Sequence, residues 1–371
     1  MNIAESNALT PYDTLVIGAG QAGLAAGYHL KRAGARFALL DGAGEIGSAW
    51  KERWDSLRLF TPARYNSLPG MPFPGERYSL PGKDDVAEYL KAYAKRFDLP
   101  VRLHSRVRSL RREAGVYAVE EESGEILKAR SVIVATGANQ RPYVPAFAAT
   151  VKPYVLQLHS SGYRRPSQIP SGSVLVVGAG NSGAQIALEL AEAGRRVTLS
   201  GPDTGSLPRR FLGRDVYDWL WPTLMRPPVD SALGRRLMQG RLFSGDPLIG
   251  VSTKKLERVG RTTAVRDGFA AVVWCTGFRP EFGWIELPAF GLDGYPLHRR
   301  GIVQSLPGLA FVGMRYQYRF GSALLGGVGG DAEYVVSQTL GFVRSAGWRA
   351  SPASPTDTAS RFPRRTPSRA A

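Results

Sequence analysis

The chain has 371 residues, 43% of them hydrophobic, with a formal net charge of +17 and a single cysteine, Cys275. One cysteine excludes an internal disulfide framework and any chemistry that needs a redox-active CxxC pair. No apolar run reaches the roughly 18 residues of a membrane span, the first residues lack the regions of a secretory signal, and the positive charge is spread out rather than blocked with aromatics, so the composition reads as a cytoplasmic protein without a nucleic-acid or membrane partner and with a surface that favours anionic small ligands.

In chain order, TLVIG (Thr14–Gly18) is a continuous apolar run of the buried parallel-strand type. A glycine turn, GAGQAG (Gly18–Gly23), opens a helix that runs to a C-cap region at Gly34, and RFALLD forms a second strand ending at Asp41. Residues 50–82 are rich in Pro, Arg and aromatics and read as irregular. An amphipathic helix follows, with Val86, Tyr89, Leu90, Tyr93 and Phe97 on one face. Strands are expected at Val101–Val107, Val116–Glu120 and Ile126–Ala135, the last running into ATG (Ala135–Gly137), and residues 140–170 read as a Pro-rich linker.

The pattern then starts again. SVLVVGAGNSGAQIALELAEAGRRVTLSG repeats strand, glycine turn, helix and strand, and AAVVWCTG (Ala271–Gly277) echoes SVIVATG. Residues 278–300 lead back to a strand, Leu309–Gly313, and a last helix at about Ala332–Val343. The expected architecture is α/β, with two Rossmann-like dinucleotide-binding domains in a glutathione-reductase-like arrangement. One domain is discontinuous (11–168 and 278–343), the second (169–277) is inserted into it, and 1–10 and 344–371 are flexible tails.

The two glycine turns carry the chemistry. Gly18 permits a tight turn after the strand, Gly20 lets the backbone approach a pyrophosphate, and Gly23 allows close helix–strand packing, with Gln21 and Ala22 at the helix N-terminus. Asp41, at the end of the next strand, suits ribose hydroxyls. The second turn has Gly178, Gly180, Asn181, Ser182 and Gly183 in the same context, and Ser200 is read in the place of Asp41. With no carboxylate to repel a 2′-phosphate and with Arg195, Arg196, Arg209 and Arg210 nearby, that site favours NADPH, with Ser200 and one of Arg209 or Arg210 as its contacts. A nicotinamide needs a second acceptor for its hydride, and a tightly held flavin supplies one, so the pair is read as FAD and NADPH. No metal site and no catalytic side chain are identified.

These linked motifs, together with GSAWKERWDSLRLFTP (Gly47–Pro62), LPGMPFP (Leu68–Pro74), HSSGYR (His159–Arg164) and CTGFRP (Cys275–Pro280), resemble the class B flavin-containing monooxygenases of the bacterial and plant YUCCA-like kind, from about Tyr12 to about Val343. The resemblance implies that Ser48 and Trp50 contact the flavin ribityl and ring region, that Arg53 and Thr61 lie near the flavin, and that Val107 offers backbone groups to the adenine. It implies that Thr136–Gly137 and Thr276–Gly277 mark strand ends where the chain crosses between domains. Gly313, Gln317, Leu324 and Leu325 would lie along the isoalloxazine, with the last helix aimed at its pyrimidine carbonyl. The implied reaction is reduction of FAD by NADPH, formation of a C4a-peroxyflavin with O2, and oxygenation of a small molecule. Residues 65–79 and 316–325 promise a pocket that is apolar and aromatic.

Three departures stand out. His159 and Tyr163 fit the family fingerprint, but Pro153 and Val155 replace its Phe and Gly; Pro62 stands where many animal-type members have Asn; and the segment before Ala271 is short enough to have lost an edge hairpin. An NAD(P)H:acceptor flavin reductase and a non-catalytic redox-sensing flavoprotein are the alternative readings.

Overall fold

The computed structural model describes residues 10–202, 205–239, 248–249, 259–262 and 268–347. Tyr12–Ile17 (β1) is buried at all but its first residue, as a strand covered on both faces requires. The chain turns at Gly18 into Gln21–Arg32 (α1) and returns as Phe37–Leu40 (β2), parallel to β1 with Ile17 opposite Leu40. A single helical turn, Ser48–Lys51 (α2), interrupts the irregular stretch before Lys83–Arg96 (α3), whose buried face is Val86, Tyr89, Leu90 and Tyr93.

Four more strands join the first sheet: Val101–Arg102 (β3), Val107–Glu113 (β4), Val116–Glu121 (β5) and Ile126–Val134 (β6), in the order β3–β2–β1–β6–β5–β4. The single strand expected over 101–107 is two, because the chain kinks at His104, a non-glycine residue at φ 55. β3, β2, β1 and β6 are parallel, whereas β4 and β5 form an antiparallel flap on β6.

Arg141–Pro142 (β7) leads away, and the expected linker contains a strand, Leu156–His159 (β8). Ser173–Val177 (β9), Asn181–Glu192 (α4) and Arg196–Ser200 (β10) repeat the opening unit. Two short ladders follow, Ser206–Leu207 (β11) with a later strand and Arg210–Phe211 (β12) with Arg214–Asp215 (β13). After them come Val216–Leu220 (α5), a π-helical turn at Trp221–Met225, and Ala232–Gln239 (α6). Leu248–Ile249 (β14) pairs with β11, and Gly260–Thr262 (β15) adds an edge to β10. With Ala271–Trp274 (β16), the second sheet reads β15–β10–β9–β16–β8, parallel throughout. β8 pairs with β16 from Leu156 to His159, so a strand that precedes the boundary expected at 168/169 forms the edge of the second sheet. The shortened segment before Ala271 lies mostly outside the described residues.

Phe278–Arg279 (β17) pairs antiparallel with β7, so outgoing and returning chains form a two-stranded ribbon between the sheets. Leu309–Phe311 (β18) then rejoins the first sheet on β6 at Val132–Val134, beyond the point where β5 stops at Ala129. Val328–Ser345 (α7) packs along α1, burying Ala332, Val335, Val336 and Leu340. The helix thus begins earlier than Ala332 and runs past the expected start of the tail at 344; residues 1–9 and 348–371 lie outside the described residues. No described helix is long and apolar enough to cross a membrane.

Candidate functional site

Both glycine turns lie at the C-terminal ends of parallel strands, where ligands bind open α/β sheets. Gly18 and Gly178 have φ values of 105 and 106. A Cβ on Gly18 would lie 2.7 Å from the Ala135 carbonyl oxygen, and one on Gly178 would collide with that of Cys275. Gly23 and Gly183 press against the carbonyls of Gly18 and Gly178 so closely that a Cβ would overlap them. Gly20 and Gly180 are different: a Cβ there would meet nothing within 4 Å. Each is the N-cap of its helix, without a capping side chain and with no acid in the first turn. The first-turn N–H groups of α1 and α4, and the positive ends of their dipoles, therefore face open space of the kind a phosphate fills. By this measure the residues present fit two dinucleotides.

The strand ends differ. Asp41 Oδ2 accepts from the Ala19 N–H (2.7 Å) and Oδ1 from the Ala43 N–H (2.9 Å). Its carboxylate therefore fixes the glycine turn and keeps lone pairs for ribose hydroxyls. Ser200 is not its counterpart. The Gly18 N–H donates to the Leu40 carbonyl and the Gly178 N–H to the Ser200 carbonyl, each at 2.7 Å, and Val177 stands opposite Ser200 as Ile17 does opposite Leu40. Gly201 therefore occupies the position of Asp41. Its φ is 151, and a Cβ there would lie 2.7 Å from the Ala179 nitrogen. The absence of a carboxylate stands, but the residue responsible is Gly201; Ser200 is buried inside the strand end.

On the flavin side several expected residues converge. The Trp50 Nε1–H donates to Gln21 Oε1 (3.1 Å), and Gln21 Nε2 donates to the Ala323 carbonyl (3.2 Å). Gly313 lies against α1, where a Cβ would come within 2.5 Å of the Ala22 Cβ. Leu325 is core, Leu324 half-buried beside it. Gln317 is spent on its own loop, donating to the Phe311 carbonyl (2.9 Å) and accepting from Met314 N–H (3.3 Å), so it shapes this wall rather than presenting its amide. Thr61 Oγ1 donates to Asn66 Oδ1 (2.6 Å), and both side chains are buried. Ser48 opens α2 next to Gly47 (φ 85), and Val107 begins β4 beside a bulge in its pairing with β5. In the first turn of α7, Asp331 is fully buried, and neither carboxylate oxygen has a hydrogen-bond partner. Burial pushes its pKa up against the pull of Ser322, Arg319 and Arg300.

The ribbon joins the two units. Gln140 Nε2 donates to Thr136 Oγ1 (2.6 Å) and the Gly137 carbonyl (2.9 Å), while its Oε1 accepts from the Glu281 N–H. Thr276 Oγ1 donates to the Tyr143 carbonyl. The Ser161 N–H donates to His159 Nδ1 (3.1 Å), so the ring proton sits on Nε2 and points at the Gly277 carbonyl (3.0 Å). Burial lowers the His159 pKa, Gly277 opposing and Arg53 adding to the effect. His159 is thus a neutral strut of the crossover. Arg53 lies over the Phe278 ring at 5.3 Å, at the ribbon rather than in the Trp50–Gln21 cluster. A cleft of ≈ 270 Å³ opens here, lined by Gly137, Asn139, Gly277, Arg279, Met314 and Arg315 among others.

The arginines of the second unit separate by position. Arg195 donates to the Ile169 (2.9 Å) and Pro170 (3.3 Å) carbonyls and Arg196 to Ser173 (2.8 Å), at the end of β10 opposite the glycine turn. Arg209 is bound to Asp215 (2.7 Å) and the Phe60 carbonyl (2.6 Å). Arg210 is exposed on β12. Cys275 lies under the second turn, and burial pushes its thiol up to about 12, so it is no thiolate nucleophile. Reading the sequence missed Asn66, Gln140, Asp215 and Asp218, polar residues whose partners are distant; the N-cap pattern at Asp215 was the one local signal.

A family model described as pyridine nucleotide-disulphide oxidoreductase matches residues 15–300. An uncharacterized CzcO-like oxidoreductase of Geobacillus kaustophilus is 42% identical over 349 residues, covering 88% of this chain and 98% of the relative. The indole-3-pyruvate monooxygenase YUCCA1 of Oryza sativa subsp. japonica is 35% identical over 219 residues, covering 58% of this chain and 54% of the relative. The solved structure of a flavin-containing monooxygenase from Stenotrophomonas maltophilia superposes with a TM-score of 0.72 at 27% identity, covering 90% of this chain and 99% of that one. The chain belongs to the pyridine nucleotide-disulphide oxidoreductase family, on the branch that holds the flavin monooxygenases. With one cysteine, it lacks the dithiol of the family's name.

Proposed function

We propose that the chain is an FAD- and NADPH-dependent monooxygenase acting on a small organic molecule in the cytoplasm. The observation that carries this reading is the pair of complete glycine turns, each with an open Gly20 or Gly180 position before a helix N-terminus. The likeness to the Stenotrophomonas monooxygenase over nearly all of both chains supports it. When bound, FAD supplies hydride acceptance and oxygen activation, and NADPH supplies the hydride.

The chain's own residues do the rest. The α1 N-terminus and Asp41 hold FAD phosphates and ribose; the α4 N-terminus, with Gly201 leaving room and Arg210 supplying charge, holds NADPH. The first sheet with α7 is the FAD unit, and the second sheet, from Leu156 on, is the NADPH unit. Trp50, Gln21 and the 321–327 loop orient the ring end, and the α7 dipole favours negative charge there. No side chain is needed as acid or base.

The test is NADPH oxidation coupled to product mass across amines, sulfides, ketones and 2-oxo acids. An oxygenated product from at least one class is expected. If hydrogen peroxide accounts for all NADPH with every class, the chain is a flavin reductase instead; if the purified protein binds no flavin, both enzymatic readings fall.

A further inference from the structure

Residues 216–229 follow β13 and belong by chain order to the second unit, yet their side chains and backbone are tied to the first. The Asp218 carboxylate, whose side chain is 12% exposed, accepts from Arg64 Nη1 (2.9 Å) and the Tyr78 hydroxyl (2.9 Å). It also accepts from the Tyr65 hydroxyl. All three donors belong to the irregular 50–82 stretch. Burial works against the Asp218 charge, but the Tyr65 and Tyr78 hydroxyls and the Arg64 and Arg77 guanidiniums hold its pKa below the ordinary range. The carboxylate is thus a charged acceptor for several converging donors.

What the segment covers is the flavin-side wall. The Trp221 ring packs on Tyr65 at 5.1 Å, and a Cβ on Gly326 would lie 3.3 Å from that indole and collide with the Tyr65 carbonyl. The Val229 N–H donates to the Tyr318 carbonyl (2.8 Å), and Pro228 bridges Arg319. Residues 318–326 are the stretch whose Ala323 carbonyl is held by Gln21, at the head of α1. The segment therefore crosses from one unit to the other and packs, through Trp221 and Val229, on the 318–326 loop that Gln21 ties to the head of α1.

We propose that Asp218 is a positioning residue: it latches residues 216–229 over the 318–326 loop and so keeps water from the oxygen-transfer site. The inference rests on the monooxygenase reading. With the seal closed, NADPH, H⁺, O2 and substrate give NADP⁺, water and oxygenated substrate. With it open, NADPH, H⁺ and O2 give NADP⁺ and hydrogen peroxide, the same two electrons leaving without oxygen transfer. An amide keeps one acceptor oxygen for Arg64 and Tyr65 but loses the charge, and its NH2 takes the place of the oxygen that accepts from Tyr78, whose hydroxyl must turn from donor to acceptor.

Holoenzyme and its Asp218→Asn variant are compared by amide hydrogen exchange and by peroxide released per NADPH oxidised. Exchange across residues 216–229 should quicken about tenfold, and the peroxide fraction should rise several-fold, while anaerobic flavin reduction by NADPH stays within about twofold. Tyr78→Phe removes one exposed donor and should show both effects in weaker form, which keeps the idea testable if Asp218→Asn does not fold. Unchanged exchange overturns the latch, and faster exchange without more peroxide overturns the seal. If the unaltered enzyme returns all its electrons as peroxide with every substrate class, the monooxygenase reading fails instead, and the exchange comparison still decides the latch.

Discussion

Gly18 and Gly178 hold their chains in the same left-handed conformation, and each is backed by a carbonyl from the next strand, Leu40 in one unit and Ser200 in the other. Gly23 and Gly183 are packed equally hard. One residue on, the units part: the first has a carboxylate gripping two backbone N–H groups, the second a glycine against the Ala179 nitrogen. The turn itself is a general cradle for a pyrophosphate. The residue after the second strand, and whatever chain returns to cover the turn, decide which dinucleotide it serves.

The largest expected effect separates the units. Gly23→Ala drives a Cβ into the Gly18 carbonyl and should cost about 3 kcal/mol, giving protein that melts early and purifies without flavin. Gly183→Ala should remain yellow and lose reduction by NADPH; absorbance per chain and stopped-flow reduction read both, and a fully flavinylated Gly23→Ala protein would sink the assignment. Next is Asp41→Asn, which replaces an anionic acceptor by a neutral one and should weaken flavin binding by roughly 2 kcal/mol, seen as fluorescence release on dilution. Gly201→Ala should instead spare flavin and raise the KM for NADPH; equal flavin loss in both variants would show that the strand ends are not specialised.

A smaller effect distinguishes neighbours. Arg209→Ala breaks the pair with Asp215 and the bond to the Phe60 carbonyl and should lower stability by about 2 kcal/mol. Arg210→Ala should leave stability within about 0.5 kcal/mol but reduce the preference for NADPH over NADH, measured as the ratio of kcat/KM values. The smallest effect concerns the ribbon. The His159 pKa is lowered by burial in the folded chain, so the unfolded chain binds the extra proton first. Stability is full above the ordinary imidazole value of about 6.5 and is lost as pH falls through the lower folded value. Urea melts at about pH 8 and about pH 5 should show less acid loss in His159→Asn than in the unaltered chain; an identical loss would mean that His29 and His298, also lowered by burial, carry it.

Much of this was legible because it is local. Gly18, Gly20 and Gly23 announce a turn by spacing, and β1, β9 and β16 announce themselves by unbroken apolar runs. Ser200 was misplaced by one residue although RFALLD and RVTLSG align position by position from Arg36 and Arg196, setting Gly201 beneath Asp41. β8 escaped notice because Pro and charged residues surround its short Leu156–Leu158 alternation. What was not legible depends on distant partners: nothing near Gln140 in the sequence announces Glu281, nor anything near Asp218 the hydroxyls of Tyr65 and Tyr78. Gln317 was assigned to the flavin by position, but its own loop claims its amide, and Arg53, bonded to the Ala49 carbonyl, lies over the Phe278 ring of the ribbon.

The tandem pairing along β6 has a consequence for synthesis. The second sheet is complete once the chain has been made as far as Trp274. The first sheet, begun earlier, still lacks β18 on Val132–Val134 and the helix that covers α1. A ribosome therefore releases a finished second half before it has finished the first, leaving Leu24, Ala25 and Ile133, all fully buried in the native chain, bare until the last helix emerges. Long-range closure of this kind is slow and exposes apolar surface, so truncation near the C-terminal end should yield insoluble protein rather than a smaller enzyme.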